Sequence, residues 1–525
     1  MRYRKEINIP SLLFTSLSCM IGSGWLLGSY QTLLIAGPSA IVAWLIGALM
    51  IITIAFCFSE LSTALPFSGG IARYSLLSHG KSFSFIMSWL AWISEVAVAP
   101  TEVHTILRYI SPHYPVLTHP AENGDILLSA VGLFIAFILL LLMVLINKAG
   151  IRLLVKYNNV FAIWKVLIPS LICVALFSQS MHIENISKTV FMPRGWHGVF
   201  EAISSTVVFS YLGFREATSL ASEVKNPQRA IPIAVIGAVI FCCVFYILIQ
   251  VTFICSINPV HINNDWSHIQ IMPEAPWSDL ALMLGLVWIS SLISADACIN
   301  PFGAGLIYTT TSSRVSYAMA QSGVFPQQLA RLTGAGVPVP ALFFNLVVGM
   351  LLFYPLPSWY ELVKFQATAV VMAYAVGPIS LIVLRDNLPD LNRPFRLYSP
   401  LIFCTLTLFV CNLITYWTGW HTIRYLMLSI VFGFSFFSLL HYQLNKTGVP
   451  DMKHIIWLVP HFLGITVISY LGDFDGGQSA LPPFVDYLLL LASTLISMTL
   501  ARRQSVSSAW SKRTLLAIQE LKDEA

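Results

Sequence analysis

Apolar runs of about 20 residues recur along the whole chain, separated by short segments that carry Gly, Pro and charged residues. A run of this length forms an α-helix that can cross a hydrocarbon core of about 30 Å. The Gly, Pro and charged residues between the runs predict about fourteen such helices, with twelve as the alternative count. They are predicted near residues 10–34, 39–65, 82–110, 126–147, 158–178, 198–220, 231–256, 278–306, 338–355, 358–384, 400–418, 422–441, 455–472 and 484–501. The pattern therefore predicts an all-α polytopic membrane protein.

Composition narrows the classes of protein further. Of 525 residues, 57% are hydrophobic and only 10% are charged, whereas an ordinary soluble domain carries about 25% charged residues. A soluble or disordered protein is excluded, and the modest net charge of +5 argues against a nucleic-acid partner. The nine cysteines lie inside apolar runs without metal-type spacing, so we interpret them as core residues and expect no metal or other cofactor.

The basic residues predict the orientation of the chain. With the N-terminus inside, 22 of the 29 Lys and Arg residues fall in cytoplasmic segments, as the positive-inside rule requires. The exceptions are Arg108, Lys188, Arg194 and Arg424 on the outside, and Lys165, Arg215 and Lys364 within the membrane. Both termini are therefore predicted to be cytoplasmic. We expect residues 502–525 to form a tail that lies on the membrane surface or is frayed.

Two predicted helices are interrupted near their middle. Helix 1 contains Met20-Ile21-Gly22-Ser23-Gly24, and helix 6, five helices later, contains Phe209-Ser210-Tyr211-Leu212-Gly213. Loose backbone inside a membrane persists only where it faces protein or a water-filled cavity. Interruptions at equivalent positions of two halves are typical of transporters with inverted repeats and a midplane site. Close packing through small residues is the alternative for the first interruption, but the matching one in helix 6 favours a site.

Broken helices suit an amino acid as ligand. The free N–H groups at the start of a half-helix bind a carboxylate, and the free carbonyls at the end of one bind an ammonium group. The predicted units are residues 1–178 (helices 1–5), 198–384 (helices 6–10), 400–501 (peripheral helices 11–14) and the tail, 502–525.

Ionisable residues at the bilayer centre cost about 2.5–3.5 kcal/mol each, so each needs a reason. Lys165 lies about seven residues into helix 5 and is a candidate for a cation that gains and loses a proton; a structural ion pair or a snorkelling lysine is the alternative. Asp296 and Asn300 share a face of helix 8 and are placed to meet Lys165 or a substrate, or else form a packed polar pair. Glu95 and Glu102 share a face of helix 3, as a proton relay or as structural partners.

Arg215 and Lys364 complete the set of intramembrane charges. The guanidinium fork of Arg215 suits a side-chain carboxylate, but the residue lies about 25 Å along helix 6, cytoplasmic of the predicted site. Gating, or a local pair with Glu216 or Glu223, is the favoured alternative. Lys364 is three residues after Glu361 at the outer end of helix 10, which predicts an ion pair at the level of a gate.

The motifs resemble those of the amino acid–polyamine–organocation (APC) superfamily of permeases. The motifs are Ile21-Gly22-Ser23-Gly24, Glu60-Leu61 with Pro66-Phe67-Ser68-Gly69-Gly70 and Tyr74, and Phe209 to Gly213 leading into Glu223-Val224-Lys225-Asn226-Pro227 and Ile231-Pro232. Within the superfamily the chain is most similar, over essentially its whole length, to the bacterial aspartate–proton symporter type. The markers of that type are Gly69-Gly70-Ile71 with Arg73-Tyr74, Ser78-His79-Gly80, Asp296-Ala297, Thr310-Thr311-Ser312-Ser313-Arg314 and Leu391-Asn392-Arg393-Pro394-Phe395.

The resemblance implies a leucine-transporter-like fold in which helices 1–5 and 6–10 are inverted repeats. It implies that Ser23 and Gly24 take the substrate carboxylate, that the carbonyls of Met20, Phe209 and Leu212 take the ammonium group, and that Phe209 is an aromatic gate. Lys165 matches a lysine that replaces a sodium ion in proton-coupled members. Arg215 stands where many relatives have an acidic residue, which favours an anionic substrate.

The sequence thus predicts a transporter, and not an enzyme, in a bacterial inner membrane. It would import an amino acid, aspartate or glutamate above others, with protons and by alternating access, as a monomer or homodimer in the lipid bilayer. An amino acid exchanger of the same fold, including one that serves acid resistance, is the alternative. The candidate substrate-binding residues are Met20, Ile21, Gly22, Ser23, Gly24, Phe209, Leu212 and Gly213. Lys165 and Asp296 are candidates for proton coupling, and Arg215, Glu102 and Lys364 for gating or anion recognition.

Overall fold

The structure of the chain is a computed structural model. It describes residues 8–67, 70–122, 124–149, 152–187, 189–219, 221, 224–262, 265–321, 325–334, 336–445 and 452–524. Some of the basic residues counted above lie outside these ranges, namely those among residues 1–7, Lys188 and Lys446. The motif residues Ser68, Gly69 and Glu223 lie outside them as well.

The first half of the chain is helical, as predicted. Its helices are α1 (Ile9–Met20), α2 (Ser29–Ala36), α3 (Ala40–Ala64), α4 (Gly70–Ile110), α5 (Ala130–Ala149), α6 (Arg152–Gln179) and the short α7 (Glu184–Ser187). A π-helical turn, Gly24–Gly28, lies between α1 and α2, and 3₁₀ turns cover Gly37–Ser39 and Pro115–Leu117. Between α4 and α5, strand β1 (Thr118–Pro120) pairs antiparallel with β2 (Ile126–Leu128), with Thr118 opposite Leu128.

The second half begins with a helix that is broken several times. It comprises α8 (Gly195–Ala202), a π-helical turn (Ile203–Val207), α9 (Val208–Tyr211), a 3₁₀ turn (Leu212–Arg215) and α10 (Glu216–Ser219). The helices that follow are α11 (Pro227–Ser256), α12 (Pro276–Met283), α13 (Val287–Gln321), α14 (Val339–Leu352), α15 (Trp359–Tyr374) and α16 (Val376–Asn387). Further 3₁₀ turns cover Pro259–His261, Trp266–His268 and Gln327–Ala330. The last helices are α17 (Pro400–Trp417), α18 (Trp420–Asn445), α19 (Leu458–Leu471), α20 (Val485–Arg503) and α21 (Ser508–Glu524).

Each of the fourteen predicted spans corresponds to a helical element, which confirms the all-α polytopic fold. Nine helical stretches within the described ranges are long and apolar enough to cross a membrane. The remaining spans are shorter, interrupted or more polar. α4, α15 and α16 are the most deeply buried of the long stretches, and α4 packs against α13 and α15. Their side chains therefore face protein rather than lipid.

One predicted boundary was confirmed and another was wrong. Gly80 has non-helical backbone angles (φ 80°, ψ −168°) that divide α4 at a kink, so helix 3 begins just after it, near residue 82 as predicted, and a more polar helical segment that starts at Gly70 precedes it. Helix 8 is divided by Gly285, whose φ is 73°, and its second part, α13, runs on to Gln321. Hydroxyls in the polar extension find partners within the helix itself; Thr309 Oγ1, for example, donates to Gly305 O, four residues back, at 2.7 Å.

The expectation of a frayed tail was wrong over the residues described. α21 is helical there and packs against α4 and α16. Val506 N donates to Ser78 O at 3.1 Å, and the buried hydroxyl of Ser511 donates to Leu77 O at 3.0 Å. Both carbonyls lie just before the bend at Gly80, where the helical hydrogen-bond pattern of α4 is disturbed.

Candidate functional site

The two interrupted helices meet each other at their breaks. α1 ends at Met20, and Ile21 is extended, with φ −95° and ψ 96°. A Cβ atom on Gly213 would lie 2.6 Å from Met20 N, and one on Gly24 would lie 2.5 Å from Ser210 Oγ. Both glycines are thus required for the close approach of one break to the other. The small residues serve packing, and the backbone that they loosen faces protein.

Replacing Gly213 by alanine should separate the two breaks. The new methyl group would meet backbone atoms of Cys19 and Met20 at 2.6 Å, which cannot move aside as a flexible side chain can. We expect a loss of about 1–3 kcal/mol of stability, typical of overpacking, and a loss of uptake. Thermal unfolding in detergent and uptake into proteoliposomes measure the two effects.

Gly237→Ala is the matched control, since its Cβ would meet only Leu13 Cδ1, at an ordinary 3.7 Å. Alanine favours a helix over glycine by about 1 kcal/mol, so this variant should be at least as stable as the parent. Equal melting temperatures for the two variants would show that the breaks are not in tight contact.

Ser23 donates to a carboxylate within the protein. Its N–H bonds Glu102 Oε2 at 3.1 Å and its hydroxyl bonds Glu102 Oε1 at 3.1 Å. Glu102 is almost fully buried. One of its oxygens lies so close to Gly22 that a Cβ atom there would be only 2.8 Å from it. Glu102 therefore holds the donors that the resemblance assigns to a substrate carboxylate.

The carbonyl groups at the breaks already accept hydrogen bonds from tyrosines. Tyr246 OH donates to Met20 O at 2.8 Å, and Tyr374 OH donates to Leu212 O at 2.9 Å. A carbonyl oxygen has two lone pairs, so each can accept a second bond. Sequence reasoning missed both tyrosines; their signal was a hydroxyl inside an apolar run, which needs a partner when buried.

Phe209 has an aromatic partner that the sequence did not point to. Its ring lies edge-on to that of Trp359, with centroids 6.0 Å apart. Trp359 is fully buried, and its Nε1 donates to Ser23 Oγ at 3.4 Å. One indole ring thus contacts both interrupted helices.

Lys165 and Asp296 lie beside the break in α1. Lys165 Nζ donates to Ser18 O at 2.8 Å, in the last turn of α1, and is 1% exposed. Asp296 Oδ1 accepts a bond from Trp164 Nε1 at 2.8 Å, so it is bonded to the neighbour of Lys165 along α6.

Asn300 holds the backbone of the break itself. In the amide orientation that satisfies its neighbours, it donates to Ile21 O and accepts from Trp25 Nε1, both at 3.2 Å. The predicted polar pair on α13 therefore connects that helix to α6 and to the interrupted α1.

A buried cavity lies at the meeting point of the breaks. Its lining includes Cys19, Met20, Gly22, Ser94, Glu95, Val98, Glu102, Phe209, Leu212, Arg215, Glu216, Tyr308, Gln366, Val370 and Tyr374. Arg215 forms an ion pair with Glu95, and its Nη2 lies 3.4 Å from Glu216 Oε1. Arg215 thus lies in the wall of the cavity, closer to the breaks than its place along helix 6 suggested, and it also makes the predicted pair with Glu216.

The predicted ion pair between Lys364 and Glu361 was wrong. Glu361 closes a capping box at the start of α15, where its carboxylate accepts from Ser358 N at 3.3 Å. Lys364 forms its ion pair with Asp475, in the segment between α19 and α20, and lies over the ring of Tyr360 at 5.2 Å. Because the acid turns back to cap its own helix, the lysine pairs with a residue distant in sequence.

Comparison with known proteins places the chain in a family. The family model for amino acid permeases matches residues 7–442. The glutamate/serine transporter AimA of Bacillus subtilis (strain 168) is 34% identical over 513 residues, covering 96% of this chain and 94% of that protein. The aspartate-proton symporter of the same organism is 32% identical over 498 residues, covering 94% and 95%. The branched-chain amino acid permease BcaP of the same organism is 24% identical over 455 residues, covering 84% of this chain and 95% of that protein.

These matches confirm the resemblance to the aspartate–proton symporter type. They agree with the apolar helices and the paired interruptions described above. The protein is an integral membrane protein that belongs to the amino acid permease family of the APC superfamily.

Proposed function

We propose that the protein is a secondary active transporter that imports an acidic amino acid, aspartate or glutamate, together with one or more protons. The observation that carries the proposal is the meeting of two broken helices at a buried cavity with an arginine in its wall. The names of two relatives, an aspartate-proton symporter and a glutamate/serine transporter, support the substrate class. Transport proceeds by alternating access about the breaks, with residues 1–178 and 198–384 as inverted repeats.

The backbone of the substrate binds to the breaks. Its α-carboxylate takes the donors of Ser23 and Gly24, and its ammonium group takes the free lone pairs on the carbonyls of Met20, Phe209 and Leu212. Ile21, Gly22 and Gly213 shape the backbone that makes this possible. Because Glu102 bonds Ser23 in this structure, the substrate must displace it, and Glu102 acts with Phe209 and Lys364 in gating.

The side-chain carboxylate of the substrate binds Arg215. A guanidinium group binds a carboxylate with two parallel bonds, and Arg215 lines the same cavity as Met20 and Phe209. A neutral or basic side chain would leave the arginine with its two protein carboxylates and gain nothing from it. Preference for an acidic substrate follows.

The coupling ion is a proton, carried through Lys165 with Asp296 nearby. Each charge that crosses 100 mV contributes about 2.3 kcal/mol to accumulation, so no covalent chemistry and no further cofactor are needed. We place the protein in a bacterial inner membrane as a monomer or homodimer, with both termini cytoplasmic.

Uptake of radiolabelled aspartate into proteoliposomes with an empty lumen tests the function. We expect accumulation only with an inward proton gradient, collapse of that accumulation by a protonophore, and competition by aspartate and glutamate in a panel of amino acids. Protein-free liposomes are the control. Uptake that appears only after preloading with an amino acid would make the protein an exchanger, and competition by neutral amino acids alone would overturn the acidic preference.

A further inference from the structure

Three charged side chains, one basic and two acidic, meet in the wall of the cavity. Arg215, in the turn that follows the break in the second half, pairs with Glu95 of α4 and lies 3.4 Å from Glu216 of α10. One guanidinium group thus faces two carboxylates. All three side chains are largely shielded from solvent, so water does little to screen them.

Glu95 differs from Glu216 in one respect. Its Oε2 atom is buried and has no hydrogen-bond partner among the residues that the structure describes. A buried carboxylate oxygen without a partner is costly when charged, and a proton on that oxygen removes the charge. Among the described residues, Glu95 is therefore bonded by one of its two oxygens, and its partner is Arg215.

An acidic substrate changes this balance. On the proposed function, on which this inference rests, the side-chain carboxylate of the substrate also needs Arg215. Glu95 and the substrate carboxylate then compete for one guanidinium group in a site shielded from water, where like charges at short range prevent one another from ionising. The group that loses its place on Arg215 must take up a proton.

We propose that Glu95 is the group that is displaced from Arg215 by the side-chain carboxylate of an acidic substrate and that takes up a co-transported proton. The proton comes from water on the side from which the substrate enters and forms an O–H bond on the Glu95 carboxylate. When the substrate leaves on the other side, Glu95 returns to Arg215 and releases the proton there. An acidic substrate is thereby carried with a proton that a neutral one does not require.

Other titratable groups face this cluster from each neighbouring element. They are Cys19 from α1, Glu102 from α4 itself, Lys165 from α6, Glu216 from α10, Tyr308 from α13 and Tyr374 from α15. Cysteine and tyrosine are ordinarily uncharged near pH 7. Glu102 bonds Ser23, and Lys165 bonds Ser18, so neither pairs with Arg215.

Glu95→Gln tests the proposal, because glutamine has the shape of the protonated acid. In the parent, the KM for aspartate should rise with pH more steeply than in Glu95→Gln, by up to about tenfold per pH unit, as expected for one further linked proton. Between pH 5.5 and 8 the variant should lose that part of the slope, and the charge moved per aspartate should fall by one. Asparagine, the neutral isostere, should compete with the same pH dependence in both proteins.

Asp386→Asn is the matched control. It also removes a carboxylate from an arginine pair, here with Arg502 at 2.9 Å, but at a half-exposed position away from the cavity. We expect the pH profile of the parent. Size-exclusion chromatography checks that both variants are folded.

A second measurement does not depend on any variant. Aspartate added to the parent protein in weakly buffered detergent should cause proton uptake that a pH-indicator dye detects, about one proton per site more than asparagine causes. A folded Glu95→Gln that keeps the pH dependence of the parent, or equal proton uptake with aspartate and asparagine, would overturn the role of Glu95 and leave the proposed function standing. Absence of gradient-driven aspartate uptake by the parent protein would overturn both.

Discussion

Replacing Lys165 by alanine should abolish accumulation driven by the membrane potential while leaving exchange of substrate across the membrane. The ammonium group of Lys165 donates to Ser18 O in the last turn before the break in α1 and is 1% exposed. It is therefore placed so that gain or loss of its proton changes the hydrogen bond to the end of α1. Aspartate carries one negative charge, so the Lys165 proton and the Glu95 proton together move one net positive charge, for which 100 mV supports a concentration ratio of roughly 50-fold, from about 2.3 kcal/mol. Without the Lys165 proton the transport is electroneutral, and we expect this potential-driven ratio to fall to about one.

Accumulation in proteoliposomes is measured with and without a membrane potential, and counterflow is measured with substrate on both sides. Lys512→Ala, which removes an exposed lysine on α21, is the control and should accumulate like the parent. Lys165→Gln keeps a hydrogen-bond donor near Ser18 if the alanine variant does not fold. Accumulation by Lys165→Ala with unchanged pH dependence would show that coupling lies elsewhere.

Replacing Glu60 by alanine should destabilise the protein by about 3–5 kcal/mol, the cost of removing one partner from a buried ion pair. Glu60 is fully buried at the end of α3. Its two oxygens accept from Arg385 Nε and Nη2 at 2.8 and 2.7 Å, and one also accepts from Leu397 N at 2.7 Å. Arg393 Nε lies 3.7 Å away. In the variant, the guanidinium groups of Arg385 and Arg393 lose the buried carboxylate with which they pair.

Thermal unfolding in detergent measures this loss, together with the yield of monodisperse protein. Asp386→Ala serves as the control, because it breaks an arginine pair of which both partners are more than a third exposed, and such pairs contribute at most about 1 kcal/mol. If both variants melted at the same temperature, the Glu60 cluster would not stabilise this face of the bundle.

The features that the sequence predicted correctly are those carried by local pattern. Apolar runs located the helices, and glycines inside two of them located the breaks, because a glycine in the middle of a membrane helix is visible without any knowledge of its neighbours. The intramembrane charges were visible for the same reason. Three of them, Glu95, Glu102 and Arg215, lie in the wall of one cavity.

The features that the sequence did not predict depend on contacts between distant segments. Lys364 was assigned to Glu361 because they are three residues apart, whereas its partner Asp475 lies 111 residues away. Glu60 and Arg393 belong to two separate motifs, and nothing in either motif says that they meet. The tyrosines that bond the carbonyls at the breaks went unrecognised because a tyrosine in an apolar run has the same local pattern whatever its hydroxyl contacts.

The packing of α21 has a consequence for the order in which the protein is completed during synthesis. The bond from Ser511 to Leu77 joins residues 434 positions apart. Translation proceeds from the N-terminus, so α4 has left the ribosome long before α21 exists. The carbonyls of Leu77 and Ser78 therefore receive these partners only after Val506 and Ser511 have been made. This corner of the bundle stays open while every helix from α5 to α20 is synthesised, and a ribosome that stalls within that stretch leaves it open.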